Sequence, residues 1–220
     1  MSKNAAVLWT GGKDCALAFY KSQLEGHNIK LLVTFTPKNP VFKAHSLALI
    51  KLQAKAIDLP HLSIVIDQPI RDSYQKNISL LKQQHHIDVL ITGDIDQIDN
   101  HNNWIEDCCK PSGMLVHKPL WKLERESILD QLISNNFEVI FSLVKKDLDL
   151  TDFLGHRITT DQIDQLKKNK NIDLCGENGA YHTMTLNAPF FTKKIVLTST
   201  IKEDNEYAYL CIQSTKLEEK

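Results

Sequence analysis

The chain has 220 residues, of which 42% are hydrophobic and 24% charged, and its formal net charge is −1. That is ordinary for a soluble globular protein with a sizeable core, arranged as one large domain or as one domain with a smaller appendage. The near-zero charge excludes a general electrostatic pull toward nucleic acid or an anionic membrane. The five cysteines (Cys15, Cys108, Cys109, Cys175 and Cys211) are odd in number and contain no C-x-x-C pair, which argues against a disulfide framework or a structural zinc site. The apolar run Ala5 to Trp9 is too short for a signal peptide or a membrane span, so the expected compartment is the cytoplasm.

In chain order, Ala5 to Trp9 reads as a strand. A helix follows, with Ala16, Phe19, Tyr20 and Leu24 on one face. Leu31 to Phe35 is a second strand, and Leu47, Ile50, Ala54 and Ile57 mark a second helical face. Leu62 to Ile66 is a third strand, Tyr74, Ile78 and Leu81 mark a third helix, and Val89 to Thr92 is a fourth strand. These strands lack clean alternation and are separated by helices, the pattern of a parallel sheet covered on both faces. The second half is less regular. Ser127 to Ser134 is helical, Phe137 to Val144 is a strand, and Thr159-Thr160-Asp161 starts a helix that runs to about Lys168. The polar, Gly- and Asn-rich stretch from Asn171 to Pro189 reads as a long ordered loop. Ile195 to Thr200 and Tyr207 to Ile212 pair as a closing hairpin.

The fold class expected is α/β: a doubly wound, mostly parallel, Rossmann-like sheet with a smaller C-terminal α+β portion. The division expected is 1–120 for nucleotide binding and 121–220 for the acceptor pocket. Ligands of such sheets sit at the carboxyl ends of strands near a switch in strand order. Two loops follow strands there: Thr10 to Cys15, and Gly93-Asp94-Ile95-Asp96.

In Thr10-Gly11-Gly12-Lys13-Asp14-Cys15, paired glycines let the backbone approach an anion with its amides pointing outward. A helix starting there adds its dipole, and Lys13 adds a full charge. Asp14 repels phosphate, and a Mg²⁺ ion between the two resolves that repulsion. The loop is not a Walker A motif: Val7 stands where its first Gly is needed, and Asp14 stands where Ser or Thr follows the Lys. From spacing alone, a merely structural turn with Asp14 stabilising the helix start is an equal alternative.

The loop resembles the Ser-Gly-Gly-Lys-Asp-Ser signature of PP-loop ATP pyrophosphatases. The chain as a whole is similar to the diphthine–ammonia ligase family and its prokaryotic relatives. The likeness is carried by the loop, Gln53-Ala54-Lys55-Ala56-Ile57, Gly93-Asp94-Ile95, Lys118-Pro119-Leu120-Trp121, Leu154-Gly155 and the stretch Cys175-Gly176-Glu177-Asn178-Gly179-Ala180-Tyr181-His182-Thr183. It spans roughly residues 5 to 192.

The resemblance implies an adenine nucleotide alpha hydrolase-like fold and an ATP-dependent ligase. A substrate carboxylate attacks the α-phosphate of ATP, pyrophosphate leaves, and ammonia displaces AMP to form an amide. Thr10, Gly11, Gly12, Lys13, Asp14 and Cys15 would hold ATP, with Asp14 at Mg²⁺ and Gly93 and Asp94 beside the nucleotide. His45 matches a substrate-loop position, where a nucleotide contact and an ordinary loop histidine are alternatives. Glu177, Asn178, Gly179, Tyr181 and His182 would line the acceptor pocket, with Lys13, Asp14 and Glu177 catalytic. The acceptor implied is diphthine on elongation factor 2 in an archaeal or eukaryotic source, and a small metabolite otherwise. Ammonia is the second partner, and relatives are often homodimers. Two departures stand out: Cys15 replaces the family's closing Ser, and Ala180 replaces the second Glu of Gly-Glu-x-Gly-Glu-Tyr.

The remaining residues read as structural. Cys15 is more often a passive small residue than a nucleophile. Cys108 and Cys109 are adjacent, which is poor geometry for a shared metal. His85 and His86 end a helix and cap its carbonyls. His101, His117 and His156 show no metal spacing. Trp104 suits a surface or interface, and Trp121 the core or a pocket wall. Two further functions stay open at this point: a PP-loop enzyme modifying tRNA, and a nucleotide-binding module without turnover.

Overall fold

The computed structural model describes residues 3–40, 42–97 and 104–220, and His101 lies outside them. The chain forms two compact units. The first comprises Met1–Thr10, Asp14–Val41 and Leu59–Lys122, and the second Gly11–Lys13, Phe42–Asp58 and Leu123–Lys220.

The first unit is built on strands β1 (Asn4–Leu8), β2 (Asn28–Thr36), β3 (His61–Val65), β4 (Val89–Ile91) and β5 (Leu115–His117). Helix α1 (Lys13–Leu24) follows β1. Helix α2 (Leu47–Ile57) counts with the second unit, and α3 (Ile70–His85) and α4 (Trp104–Cys109) complete the first. The strand order is β3-β2-β1-β4-β5 and every pairing is parallel. The order therefore reverses at β1, and the carboxyl ends of β1 and β4 flank the switch point. Ala5, Ala6 and Val7 are all fully buried, as a strand covered on both faces requires.

Ala6, Val33, Ile78, Leu81 and Leu90 share one apolar cluster. Each large side chain buried there contributes about 2 kcal/mol. Trp104 is half-buried against this cluster rather than free at a surface, packed edge-on against Tyr74 at 5.9 Å. The face expected for α1 is corrected in part. Leu17 and Ala18 are buried beside Ala16 and Phe19, whereas Leu24 is 70% exposed because the helix ends there and leaves the sheet. Helix α3 is closed by His86 in the left-handed conformation, whose backbone N–H donates to the Leu81 carbonyl.

The second unit contains α2, α5 (Arg125–Ser134), β6 (Glu138–Lys145), α6 (Thr160–Leu166), β7 (Tyr181–Asn187), β8 (Lys194–Glu203) and β9 (Tyr207–Glu218). Its sheet is antiparallel in the order β7-β6-β9-β8. The β8–β9 hairpin is longer than its apolar residues indicate.

Strand β7 overturns the long loop expected from Asn171 to Pro189. It pairs with β6 from Val144↔Tyr181 to Glu138↔Asn187. Its polar composition hides this, because Thr183 and Thr185 are buried there in place of apolar residues. Among the described residues, no helix is long and apolar enough to cross a membrane.

Candidate functional site

The turn after β1 is held open by the second unit's own residues. Gly11 has φ +84°, which an L side chain rarely adopts, and a β-carbon there would stand 2.4 Å from Gln53 Oε1. Gln53 is fully buried in α2. Its amide donates to the Gly11 carbonyl at 2.9 Å and to the Thr185 carbonyl at 2.8 Å. The Thr185 N–H donates to the same Gly11 carbonyl at 2.9 Å. The Lys13 N–H donates to Thr183 Oγ1 at 3.1 Å. Two backbone carbonyls and two backbone amides are thus satisfied, and the turn's shape is fixed by β7 and α2.

Lys13 is 3% exposed. Its ammonium donates to the Cys175 carbonyl at 2.5 Å and lies 5.6 Å from the centre of the Tyr181 ring. The Tyr181 hydroxyl donates to the Leu174 carbonyl. The segment around Cys175 therefore surrounds the cation of the turn.

His45 stands over Gly12: a β-carbon at Gly12 would lie 3.5 Å from its Cε1. The ring meets His182 edge-on, with centroids 5.4 Å apart. Burial, then the electrostatic influence of His182 and of Lys13, lowers its pKa to about 4. Its Nδ1 is buried without a hydrogen-bond partner among the described residues.

In the first unit, Gly93 presses against the start of α1. A β-carbon there would stand 2.6 Å from the Asp14 carbonyl carbon and 2.7 Å from the Cys15 nitrogen. Only hydrogen fits in that gap. Next to it, Asp94 accepts from Thr92 Oγ1 at 2.9 Å. Its pKa is raised, chiefly by burial; Asp14 and Glu106 also raise it, and Thr92 and Lys118 oppose. Two carboxylates that feel each other, Asp14 in the first turn of α1 and Asp94 in the loop after β4, are a hard-oxygen donor set, and such a set fits a divalent cation such as Mg²⁺. Lys118 pairs with Glu106 at 2.6 Å and lies 3.8 Å from the centre of the half-buried Trp121 ring. The buried Cys15 thiol takes the Thr10 hydroxyl at 3.7 Å.

Glu177, Asn178 and Gly179 lie on the loop that precedes β7. Glu177 is exposed, with its backbone N–H donating to Asp173 Oδ1 at 3.3 Å. Asn178 closes its own loop, giving its amide to the Asn171 carbonyl at 2.8 Å and accepting from the Ala180 N–H at 3.3 Å. Gly179 takes φ +77° to complete that turn. Ala180 is fully buried. Gln53, Thr183 and Thr185 carry no motif chemistry of their own, so no expectation singled them out. Their role comes from pairing across the fold. The one signal for Gln53 was its place in a stretch shared with the family.

The family model for the diphthamide synthase N-terminal domain matches residues 3–116, and that for the diphthamide synthase C-terminal domain matches residues 124–217. The diphthine–ammonia ligase of Rattus norvegicus is 27% identical over 249 aligned residues, covering 98% of this chain and 92% of its own. The diphthine–ammonia ligase of Homo sapiens is 27% identical over 225, covering 89% and 83%. Among solved structures, a predicted subunit of tRNA methyltransferase from Methanocaldococcus jannaschii aligns over 64% of this chain and 77% of its own, with a TM-score of 0.45 and 18% identity.

Proposed function

Because the chain belongs to the diphthamide synthase family, we propose that it is an ATP-dependent ligase that activates a carboxylate as its adenylate and converts it to an amide with ammonia. The observation that carries this reading is the turn Gly11–Lys13, fixed by Gln53, Thr183 and Thr185 in a strained shape that a plain connection does not need.

In this reading the amides of Gly11 and Gly12 and the charge of Lys13 hold the phosphates, with Thr10 and Cys15 closing the turn. Asp14 and Asp94 would hold Mg²⁺, which supplies charge neutralisation to the phosphates when bound. Gly93 keeps the two loops of the first unit in close register. His45 offers a neutral imidazole nitrogen to the nucleotide.

The substrate carboxylate oxygen attacks the α-phosphorus, and the bond to the bridging oxygen breaks with pyrophosphate leaving. Ammonia then attacks the acyl carbon and AMP leaves. The chain's share is positioning and stabilising the negative charge that develops on pyrophosphate. The relatives are named diphthine–ammonia ligases, which supports diphthine as the acceptor. His182 and Glu177, both exposed at this segment, are the groups that meet it, and Tyr181, Asn178 and Gly179 shape their loop.

The test is product analysis. The protein is incubated with ATP, Mg²⁺, ammonium and a diphthine-bearing elongation factor. Acceptor-dependent AMP and pyrophosphate, with one amide formed per AMP, is the expected result. ADP and phosphate as products would overturn the mechanism.

A further inference from the structure

Helix α1 ends in a tight left-handed turn. Gly26 has φ +85°, the His27 N–H donates to the Ser22 carbonyl at 3.0 Å, and the Gly26 N–H donates to the Gln23 carbonyl at 3.1 Å. This turn places Glu25 and His27 on either side of one glycine. Glu25 thereby puts a carboxylate at the negative end of the helix dipole, where an anion is unfavourable unless a cation offsets it.

His117, at the end of β5, comes to the same place from far along the sequence. Its Nε2 lies 2.9 Å from Glu25 Oε2, and its ring is 4.7 Å from that of His27, tilted by 36°. That Nε2 is buried, yet its approach to Glu25 makes no satisfied hydrogen bond. One ligand atom from each of Glu25, His27 and His117 lies within 4.8 Å of the other two. Two imidazoles and a carboxylate, with one atom from each gathered within 4.8 Å and a buried ring nitrogen that faces the carboxylate without a well-aligned hydrogen bond, form a donor set for a borderline divalent metal rather than for Mg²⁺.

We propose that Glu25, His27 and His117 form a three-ligand site for a single zinc-class divalent ion, with water completing the tetrahedron. The site lies at the far end of α1 from the phosphate turn, about 18 Å away along a helix of 12 residues. It is therefore separate from the ion held by oxygen donors at Asp14 and Asp94. The bound ion ties the turn between α1 and β2 to the edge strand β5 and stabilises the first unit.

Metal-free protein is titrated with Zn²⁺ against a chromophoric chelator, and with Co²⁺ followed by visible absorption. The expected result is one equivalent per chain, a tetrahedral Co²⁺ spectrum without thiolate charge transfer, and a higher melting temperature with Zn²⁺. Glu25→Gln changes an exposed side chain and should weaken Zn²⁺ affinity at least about tenfold, while the melting temperature of the metal-free protein is unchanged. His117→Gln should abolish the stoichiometric site. His85→Gln, an exposed histidine elsewhere, should leave it intact. No Zn²⁺ held against the chelator, undiminished binding by Glu25→Gln and His117→Gln, loss of the site in His85→Gln, or a thiolate band in the Co²⁺ spectrum would each overturn the proposal.

Discussion

His45 lies edge-on to His182, ring centroids 5.4 Å apart, with its Cε1 turned toward Gly12. The pairing keeps His45 neutral, because burial and the electrostatic influence of His182 and Lys13 lower its pKa from 6.5 to about 4. The unfolded chain binds a proton at His45 below pH 6.5, whereas the folded chain does not until about pH 4. Folding stability therefore falls as pH drops through that window and is independent of this group below it. The loss is at most roughly 3 kcal/mol, reduced by hydration of the ring's exposed edge. Titration followed by NMR should show His45 remaining neutral at pH 5. His45→Ala should raise KM for ATP about tenfold, the worth of one hydrogen bond to the nucleotide. A normal histidine midpoint near 6.5 would remove the basis for this.

Gly93 carries a steric prediction that differs in kind from the one at Gly179. The gap at Gly93 is closed by the backbone of Asp14 and Cys15, which cannot rotate away as a side chain can. Gly93→Ala must push the first turn of α1 off the strand end. It should cost about 1–3 kcal/mol, seen as a lower denaturant midpoint, together with a large loss of ATP affinity. Among the described residues, nothing beyond its chain neighbours lies within 4 Å of a β-carbon built on Gly179, and the strain is conformational, φ +77°. Gly179→Ala should cost about 1 kcal/mol and leave ATP affinity unchanged. Equal effects of the two substitutions on ATP binding would contradict the role proposed for Gly93 beside the nucleotide.

The contrast between these residues shows what could be read from sequence. The alternation of strands and helices through Ile91 follows from apolar runs and helical spacing, and the doubly wound sheet follows from both. The Gly-Gly-Lys turn was visible because glycine, charge and strand end coincide in a few residues. Strand β7 was not, since Thr183 and Thr185 are buried through pairing and hydrogen bonds rather than apolarity. Gln53 was invisible as a site residue for the same reason: its partners Gly11 and Thr185 lie far from it in sequence. The cluster of Glu25, His27 and His117 shows no ligand spacing, because the fold brings β5 to the end of α1.

The thiols give a third prediction. Burial raises the pKa of Cys109 to about 12, and it also raises that of Cys108. Cys15 and Cys175 are buried as well, whereas Cys211 is partly exposed. Iodoacetamide at neutral pH should therefore label Cys211 first in the folded chain, as read by peptide mass spectrometry. Cys15→Ser should keep ATP turnover within a few-fold of the parent, since a serine hydroxyl can accept from the Thr10 hydroxyl as the thiol does. Early labelling of Cys15 with matching loss of activity would make it a nucleophile instead.

Lys13 and Tyr181 separate charge from position. The Lys13 ammonium is nearly fully buried, with the Cys175 carbonyl at 2.5 Å and the Tyr181 ring centroid at 5.6 Å. Lys13→Ala removes the only full positive charge of the turn and should lower kcat by about 10²–10³, the range for losing one preorganised stabiliser of developing charge. Lys13→Arg should not rescue, because a larger, planar guanidinium does not fit the buried place of a compact ammonium. Tyr181→Phe keeps the ring beneath the ammonium but leaves the Leu174 carbonyl without its hydroxyl partner. It should cost about 1 kcal/mol of stability and leave kcat nearly unchanged. Steady-state kinetics beside denaturant melts distinguish the two: a large kcat loss in Tyr181→Phe at unchanged stability would place the hydroxyl, and not the lysine, at the reacting phosphate.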